Sequence, residues 1–326
     1  MLQPDMRGDI MRRLLFVLIL FLLVLSSCRM DVNLNGGNDT DYEGSCNWMG
    51  RLKGDPLVKD ITIPATHDSC ANKDLLGLSS ISSTQDLDLR QQLEAGVRSL
   101  DIRIHERGDE YGIYHGPVYM DITLDDVVDI CRTFLEENPS EFIMLFIQYE
   151  KITETDHHRM ATPIVEELRK SDTGLFYQGS GLSGVRLSDV AGKIIPILGY
   201  IRIYREPDLI SEWDFWMPDF EPGYDEEYYW QTQNPDEIWQ NAKSWLERYS
   251  NGDVAYPGEP GLVTTSSYYY GQFGLPNYRI ISSYVNPRLQ QWLGQFNGQG
   301  KCFGSIRTDH MSKELAHVIY SCNLFE

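Results

Sequence analysis

Two stretches decide the fold: Leu87–Ile104, LDLRQQLEAGVRSLDIRI, and Phe142–Gln148, FIMLFIQ. Leu87–Ala95 spaces its apolar residues as a helix does, and Gly96 follows where a helix would stop. Val97–Ile104 then alternates, the pattern of a half-buried strand. Thr123–Asn138 is amphipathic, with Thr123 as N-cap and Asp126 three residues later. FIMLFIQ is almost continuously apolar, which fits a parallel strand covered on both faces. Helix and strand alternating at this density predict an α/β protein.

Working outward, Val58–Ile63 reads as a strand that enters a turn at Pro64, and Ile113–His115 as a short strand. Downstream, helices are expected at Thr162–Arg169, Asp236–Tyr249 and Ser312–Ser321. Strands are expected at Lys193–Leu198, Ile280–Ser283 and Gly304–Arg307. No phosphate-loop or dinucleotide glycine motif follows any of the strands, so a Rossmann fold lacks its signature. No repeat or composition break marks a second domain, and a single barrel is favoured over an open sheet.

The 326 residues carry a formal charge of -20 and a sequence pI near 4.7. That balance weighs against a general nucleic-acid binder, which needs clustered Lys and Arg. Arg12 and Arg13 precede an apolar run, Leu14–Leu25, too short to span a bilayer but shaped like a signal h-region. It ends in Leu25-Ser26-Ser27-Cys28, which resembles the lipobox of bacterial lipoproteins and makes Cys28 the expected acylated first residue. Residues 1–27 are then a signal peptide, 28–44 the anchor and a polar tether, and 45–326 the folded part. Cys46, Cys70, Cys131, Cys302 and Cys322 lie in an exported chain, where disulfides are permitted. Cys302 with Cys322 is the most plausible bridge, against a default of buried free thiols. With no CxxC pair, a structural zinc site is not expected.

Four segments put polar chemistry at strand ends, where barrel enzymes collect their catalytic groups. Ile63-Pro64-Ala65-Thr66-His67-Asp68-Ser69 follows the first strand. In Asp101-Ile102-Arg103-Ile104-His105 a period of two sets Asp101, Arg103 and His105 on one face. Tyr114-His115-Gly116-Pro117 and Arg307-Thr308-Asp309-His310 add two more histidines and a carboxylate. One such histidine is usually structural. Together they supply two imidazoles as base and acid, an arginine for an anion, and carboxylates to orient them, the minimum for metal-free phosphodiester cleavage.

These motifs, in this order, resemble the bacterial phosphatidylinositol-specific phospholipases C and the catalytic X region they share with eukaryotic phosphoinositide enzymes. The likeness rests on Asn47-Trp48-Met49, IPATHDS, Gly96-Val97-Arg98 before LDIR, YHG at 114–116 and EFIMLFIQYE. It continues through Gly192-Lys193-Ile194-Ile195 and returns at Asp309. The resemblance implies a distorted TIM barrel. It also implies cleavage to diacylglycerol and inositol 1,2-cyclic phosphate, with a phospholipid in a membrane as substrate. It makes His67 the general base and His115 the general acid, with Arg103 on the phosphoryl oxygens. Asp68 lies beside the phosphate, Asp101 supports His115, and Asp309 orients His67. The calcium-dependent members carry Asn, Asp and Glu where this chain has Asp68, Arg103 and Gln148, so a metal-independent enzyme without cofactor is expected.

Departures fall on headgroup recognition. Where bacterial members place a lysine, an arginine and an Asp/Tyr pair against inositol, this chain has Gln148, Gly199 or Arg202, and Trp230-Gln231-Thr232-Gln233. A modified or glycosylated inositol lipid, or another phosphodiester with a neighbouring hydroxyl, is therefore within the expected range. Residues 207–237 hold ten acidic and eight aromatic side chains with no Lys or Arg, the composition of an elaborated loop over a barrel mouth. Its rings, or Tyr268-Tyr269-Tyr270 with Phe273, are candidates for an interfacial rim or for stacking on sugar. The competing functions are a glycerophosphodiester phosphodiesterase, which the arginine at 103 argues against, and a non-catalytic glycan- or lipid-binding barrel. No obligate protein partner is evident, and the cell envelope is the expected location.

Overall fold

The structure, a computed structural model, describes residues 44–73, 82–150, 168, 174–179, 181–198, 233–252, 261–267, 269–270 and 276–326. The signal, the tether with Cys28, all of the 162–169 helix but Leu168, most of 207–237, Arg202, Trp230 and Tyr268 lie outside these residues.

Among the described residues the strands are β1 Ile63–Thr66, β2 Ser99–Arg107, β3 Glu110–His115, β4 Val118–Thr123, β5 Ile143–Tyr149, β6 Ile194–Leu198, β7 Leu262–Thr264, β8 Tyr269–Tyr270, β9 Pro276–Asn277 and β10 Ser305–Thr308. Helices are α1 Leu89–Ala95, α2 Leu124–Glu137, α3 Leu187–Val190, α4 Pro235–Ser250, α5 Tyr278–Leu293 and α6 Lys313–Tyr320. Parallel pairing runs β7-β10-β1-β2-β5-β6, and the β3–β4 hairpin continues the upper half of β2 antiparallel. Together this is a mixed α/β sheet curled as a distorted barrel.

The elements nearest the deciding stretches form where the sequence places them. Asp88 and Gln91 make a capping box at the start of α1, and Gly96 ends it with φ 110°. Thr123 and Asp126 make the same box for α2. Leu124, Val127, Val128, Cys131, Phe134 and Leu135 then bury one face of that helix. In β5, Ile143, Met144, Leu145 and Ile147 are all buried, as a strand covered on both faces requires.

Four expectations are corrected. Val58–Ile63 is not one strand: Val58–Asp60 forms a 3-10 turn, and β1 begins only at Ile63. Pro64 does not turn the chain but lies inside β1. Its missing N–H falls where β1 and β2 are only beginning to pair, at Ala65 opposite Ser99, so no ladder bond is lost. Ile280–Ser283 is not a strand but part of α5. Asn277 caps that helix by accepting from Ile280 N, and Tyr278, Ile281, Ser282, Val285, Leu289 and Leu293 bury one face. No Cys302–Cys322 bridge forms: all five described cysteines are free thiols. Cys302 Sγ faces Lys59 O at 3.2 Å and Cys322 Sγ faces Val318 O at 3.5 Å, each on a different carbonyl.

At the amino ends of the strands, Arg98 and Glu141 form a fully buried pair, Nε to Oε2 2.9 Å. Glu141 accepts from Met49 N and Gly50 N, and Arg98 Nη2 donates to Ser45 O and Cys46 O. Trp48 stacks on Tyr320 with centroids 5.2 Å apart. These contacts clasp residues 44–51 against that end of the barrel. The candidate catalytic groups lie at the opposite end.

Candidate active site

His67 and Asp68 follow β1 directly, and His67 N still donates to Thr308 O at 3.1 Å, extending the β1–β10 ladder by one bond. Asp68 then takes a left-handed backbone, φ 41°, which a side chain disfavours. The segment 82–86 fixes that conformation. Thr84 Oγ1 donates to His67 O and Asp68 O, and Gln85 Nε2 bridges His67 O and Thr308 O.

His67 is buried, with Nδ1 2.8 Å from Asp309 Oδ1. Ser266 Oγ donates to Asp309 Oδ2 at 2.6 Å and lies 2.8 Å from His67 Nδ1. On the other side, Arg103 Nη2 is 3.0 Å from His67 Nε2. A guanidinium can only donate, so Nε2 presents its lone pair and the ring proton sits on Nδ1 against the carboxylate. That is the tautomer of a general base.

His115 ends β3. Its Nδ1 lies 2.8 Å from Ser82 O, which can only accept, so this nitrogen carries a proton; Nε2 is 3.1 Å from the Tyr278 hydroxyl. Asp68 lies between the two rings, with Oδ2 3.4 Å from both His67 Nε2 and His115 Nε2 and Oδ1 2.6 Å from Arg103 Nε. Both imidazoles therefore turn their Nε2 atoms to one small space that a guanidinium also borders.

Asp101 lies elsewhere than the resemblance implies. It does not touch His115; it accepts from Asp68 N at 3.2 Å and from Gln148 Nε2 at 2.7 Å. Arg103 Nη2 and Arg307 Nη1 approach its Oδ2 at 3.3 and 3.6 Å. Asp101 thus anchors the arginine and the backbone of Asp68, while Asp68 is the carboxylate beside His115. Gln148 is buried and points its amide to Asp101, opposite Arg103 in the β2–β5 register. His105, on the same face of β2 as Asp101 and Arg103, is exposed beyond the site.

Ser266, Tyr278, Glu150 and Ser82 are site residues that sequence reasoning missed. Ser266 follows β7, whose three residues were not read as a strand, although Gly261-Leu262-Val263-Thr264 carried the signal. Tyr278 opens the helix that was misread as a strand. Glu150 lies two residues past Gln148; it accepts from Gly116 N at 2.7 Å and stands 3.7 Å from Arg103 Nη1.

Electrostatics follow from this packing. Burial opposes a charged His67, but Asp68 and Asp309 outweigh it and raise the imidazole above its ordinary value. Burial pushes the other way on Asp101, where Arg103 and Arg307 prevail and hold the carboxyl well below the usual range. Burial and then Asp68 raise Glu150. One atom each from His67, Asp68 and Asp101 lies within 4.8 Å of the others, a spacing that suits a cation. Arg103 already bridges Asp68 Oδ1 and Asp101 Oδ2, so a fixed positive charge stands among those donors and disfavours a metal ion there.

The pattern of the phosphatidylinositol-specific phospholipase C X domain matches residues 61–195. A 1-phosphatidylinositol phosphodiesterase of Listeria monocytogenes is 30% identical over 151 residues, 45% of this chain and 47% of that protein. One from Staphylococcus aureus is 29% identical over 154 residues, 46% of this chain and 49% of that protein. The matched segment thus spans about half the length of these curated relatives. Among solved structures, the phosphatidylinositol-specific phospholipase C of Listeria monocytogenes superposes with a TM-score of 0.68 at 22% identity, over 86% of this chain and 99% of that one. A mutant of the Staphylococcus aureus enzyme gives 0.68 at 20% identity, over 89% and 100%. These similarities show the distorted TIM barrel fold. Residues 61–195 are thus similar to the phosphatidylinositol-specific phospholipase C X domain.

Proposed function

We propose that this chain cleaves phosphatidylinositol, or a related inositol phospholipid including a glycosylated one, to diacylglycerol and inositol 1,2-cyclic phosphate without a metal ion. The observation that carries the reading is Asp68 Oδ2 at 3.4 Å from the Nε2 atoms of both His67 and His115, with Arg103 alongside. His67 Nε2, its ring held by Asp309 and Ser266, takes the proton of the inositol 2-hydroxyl. That oxygen attacks phosphorus, and the bond from phosphorus to the glycerol oxygen breaks. Protonated His115, beside Asp68, supplies the proton to the departing oxygen. Arg103, held by Asp101 and Asp68, faces the phosphoryl oxygens with a charge that partial desolvation does not remove. Attack from within the same substrate adds the advantage of proximity.

Gln148, Arg202, Trp230 and Tyr268 are the candidates for reading the headgroup. A neutral amide at 148 suits a headgroup selected by its hydroxyls rather than by charge. Product analysis with phosphatidylinositol and a glycosylphosphatidylinositol, with and without EDTA, tests the whole. Cyclic phosphate should form in either buffer, and His67→Ala should lose about 10²–10⁴-fold in rate. No cyclic phosphate from either lipid would sink the substrate assignment, and loss on chelation would sink the metal-free one.

The processing scheme, with a signal over 1–27, an acylated Cys28, a tether to 44 and the barrel from 45, belongs to the same proposal. Among the described residues no helix is long and apolar enough to cross a membrane. Attachment would come from Cys28, on the envelope membrane of a bacterium. In an expressing cell, Cys28→Ala should move the protein out of the membrane fraction; retention there would contradict the lipid anchor.

A further inference from the structure

We propose that Tyr278 is a positioning residue of the cleavage step, holding the Nε2 atom of His115 in line for the departing oxygen; the proposal rests on the phosphodiester cleavage put forward above. Tyr278 is buried, and its ring lies 5.3 Å from that of His115 and 6.0 Å from that of His67, centroid to centroid. Its hydroxyl is 3.1 Å from His115 Nε2. Two other described neighbours of His115 are limited in what they can do. Ser82 O, at 2.8 Å from Nδ1, and Asp68 Oδ2, at 3.4 Å from Nε2, only accept. A phenol both donates and accepts. Tyr278 can therefore donate to Nε2 when the ring is neutral and accept from it when the ring is charged. It is the one group among these three that can hold the atom on both sides of a proton transfer.

The frame around this contact is stiff. Asn277 caps α5, so Tyr278 is the first residue of a 16-residue helix. Arg279, next in the chain, pairs with Asp86 through Nη1 to Oδ2 at 3.1 Å, and His310 Nδ1 lies 3.3 Å from the same carboxylate oxygen. Ser82 belongs to that same segment, 82–86. His115 is thus gripped at Nδ1 by one segment and at Nε2 by another, and the Arg279–Asp86 pair ties the two together. A ring restrained at both nitrogens loses little freedom when the leaving oxygen arrives.

The role shows itself through the leaving group. An alkoxide, such as the glycerol oxygen of phosphatidylinositol, needs a proton as it departs, whereas a nitrophenolate leaves without one. Turnover of phosphatidylinositol is compared with that of nitrophenyl inositol 1-phosphate for wild type, Tyr278→Phe and His115→Ala. The phenylalanine should cost about five- to tenfold in kcat on the lipid, the scale of one hydrogen bond, with KM and the nitrophenyl rate nearly unchanged. Equal losses on both substrates, or an effect confined to KM, would overturn the proposal by reducing Tyr278 to a packing residue. Nitrogen NMR of His115 in the free protein gives a readout independent of activity: Tyr278→Phe should shift the Nε2 resonance, and an unmoved resonance also overturns it. If wild type cleaves neither ester, it is the phosphodiesterase reading that fails, and the spectrum still decides whether Tyr278 holds His115.

Discussion

At Asp68 the chain accepts a left-handed backbone, φ 41°, to set one carboxylate between two imidazoles. Its charge, with that of Asp309, raises His67 above the ordinary imidazole value of 6.5 against the effect of burial. A general base works only when unprotonated. The acid limb of kcat/KM should therefore lie above the range of a free imidazole. Asp309→Asn should move that limb to lower pH while slowing the reaction by about 10²-fold or more; a limb that stays in place would show that another group limits. For stability the sign is reversed. The native state binds this proton more tightly than the unfolded chain, so His67 stabilises the fold below its unfolded pKa. That contribution is lost as pH rises through the raised folded value. At this scale His67, Asp68, His115 and Asp309 were legible because each sits at a strand end in a short polar motif, and Arg103 because it shares a face of its strand with Asp101. The resemblance also anticipated Asp309 against His67, but not that Asp68 rather than Asp101 stands beside His115. Asp101 lies within β2, while Asp68 is turned by its left-handed backbone just past β1, and sequence spacing carries no record of that turn.

Among the elements, α1 and α2 announce themselves through their caps, and a cap is a local, two-residue arrangement. Gly96 is the sharper case. Its φ of 110° is costly for any residue with a Cβ, and a methyl there would come within 2.7 Å of the Tyr320 ring. Gly96→Ala should destabilise the protein by about 1–3 kcal/mol, visible as a lower urea midpoint with an unchanged slope. Removing the Asp88 cap with Asp88→Ala should cost about 1 kcal/mol by the same measurement. The helix α5 escaped because Pro287 stands inside it, where proline ordinarily ends a helix, and because Ile280-Ile281 at its start looks β-prone. Tertiary burial of the face from Tyr278 to Leu293 decides the matter, and local propensity does not. Pro64 misled in the opposite direction. It read as a turn, yet it fits a strand at the one position where the neighbouring ladder asks for no donor.

In the whole molecule, the Arg98–Glu141 pair shows how one buried contact can hold an entry point. Glu141→Ala would strand a guanidinium with no exposure to solvent and free the backbone of residues 49 and 50. The expected cost is about 3–5 kcal/mol in equilibrium unfolding, with a smaller loss when Arg98 is made apolar as well. The class of fold was legible from alternating elements. The strand order β7-β10-β1 came only through the resemblance, because it joins the last strand to the first and no local pattern encodes such a pairing. That insertion has a kinetic consequence. His67 and Asp309 meet across 242 positions of chain, so their contact closes one of the longest loops the molecule can make. Closure entropy grows with loop length, and pairings of this separation form slowly. The dyad is therefore assembled near the end of folding, after most of the chain is in place. A nascent chain that still lacks β10 has His67 without the carboxylate that orients it. Activity and completion of the barrel then arrive together, and refolding experiments should see turnover recover with the slowest phase rather than with the early return of helix.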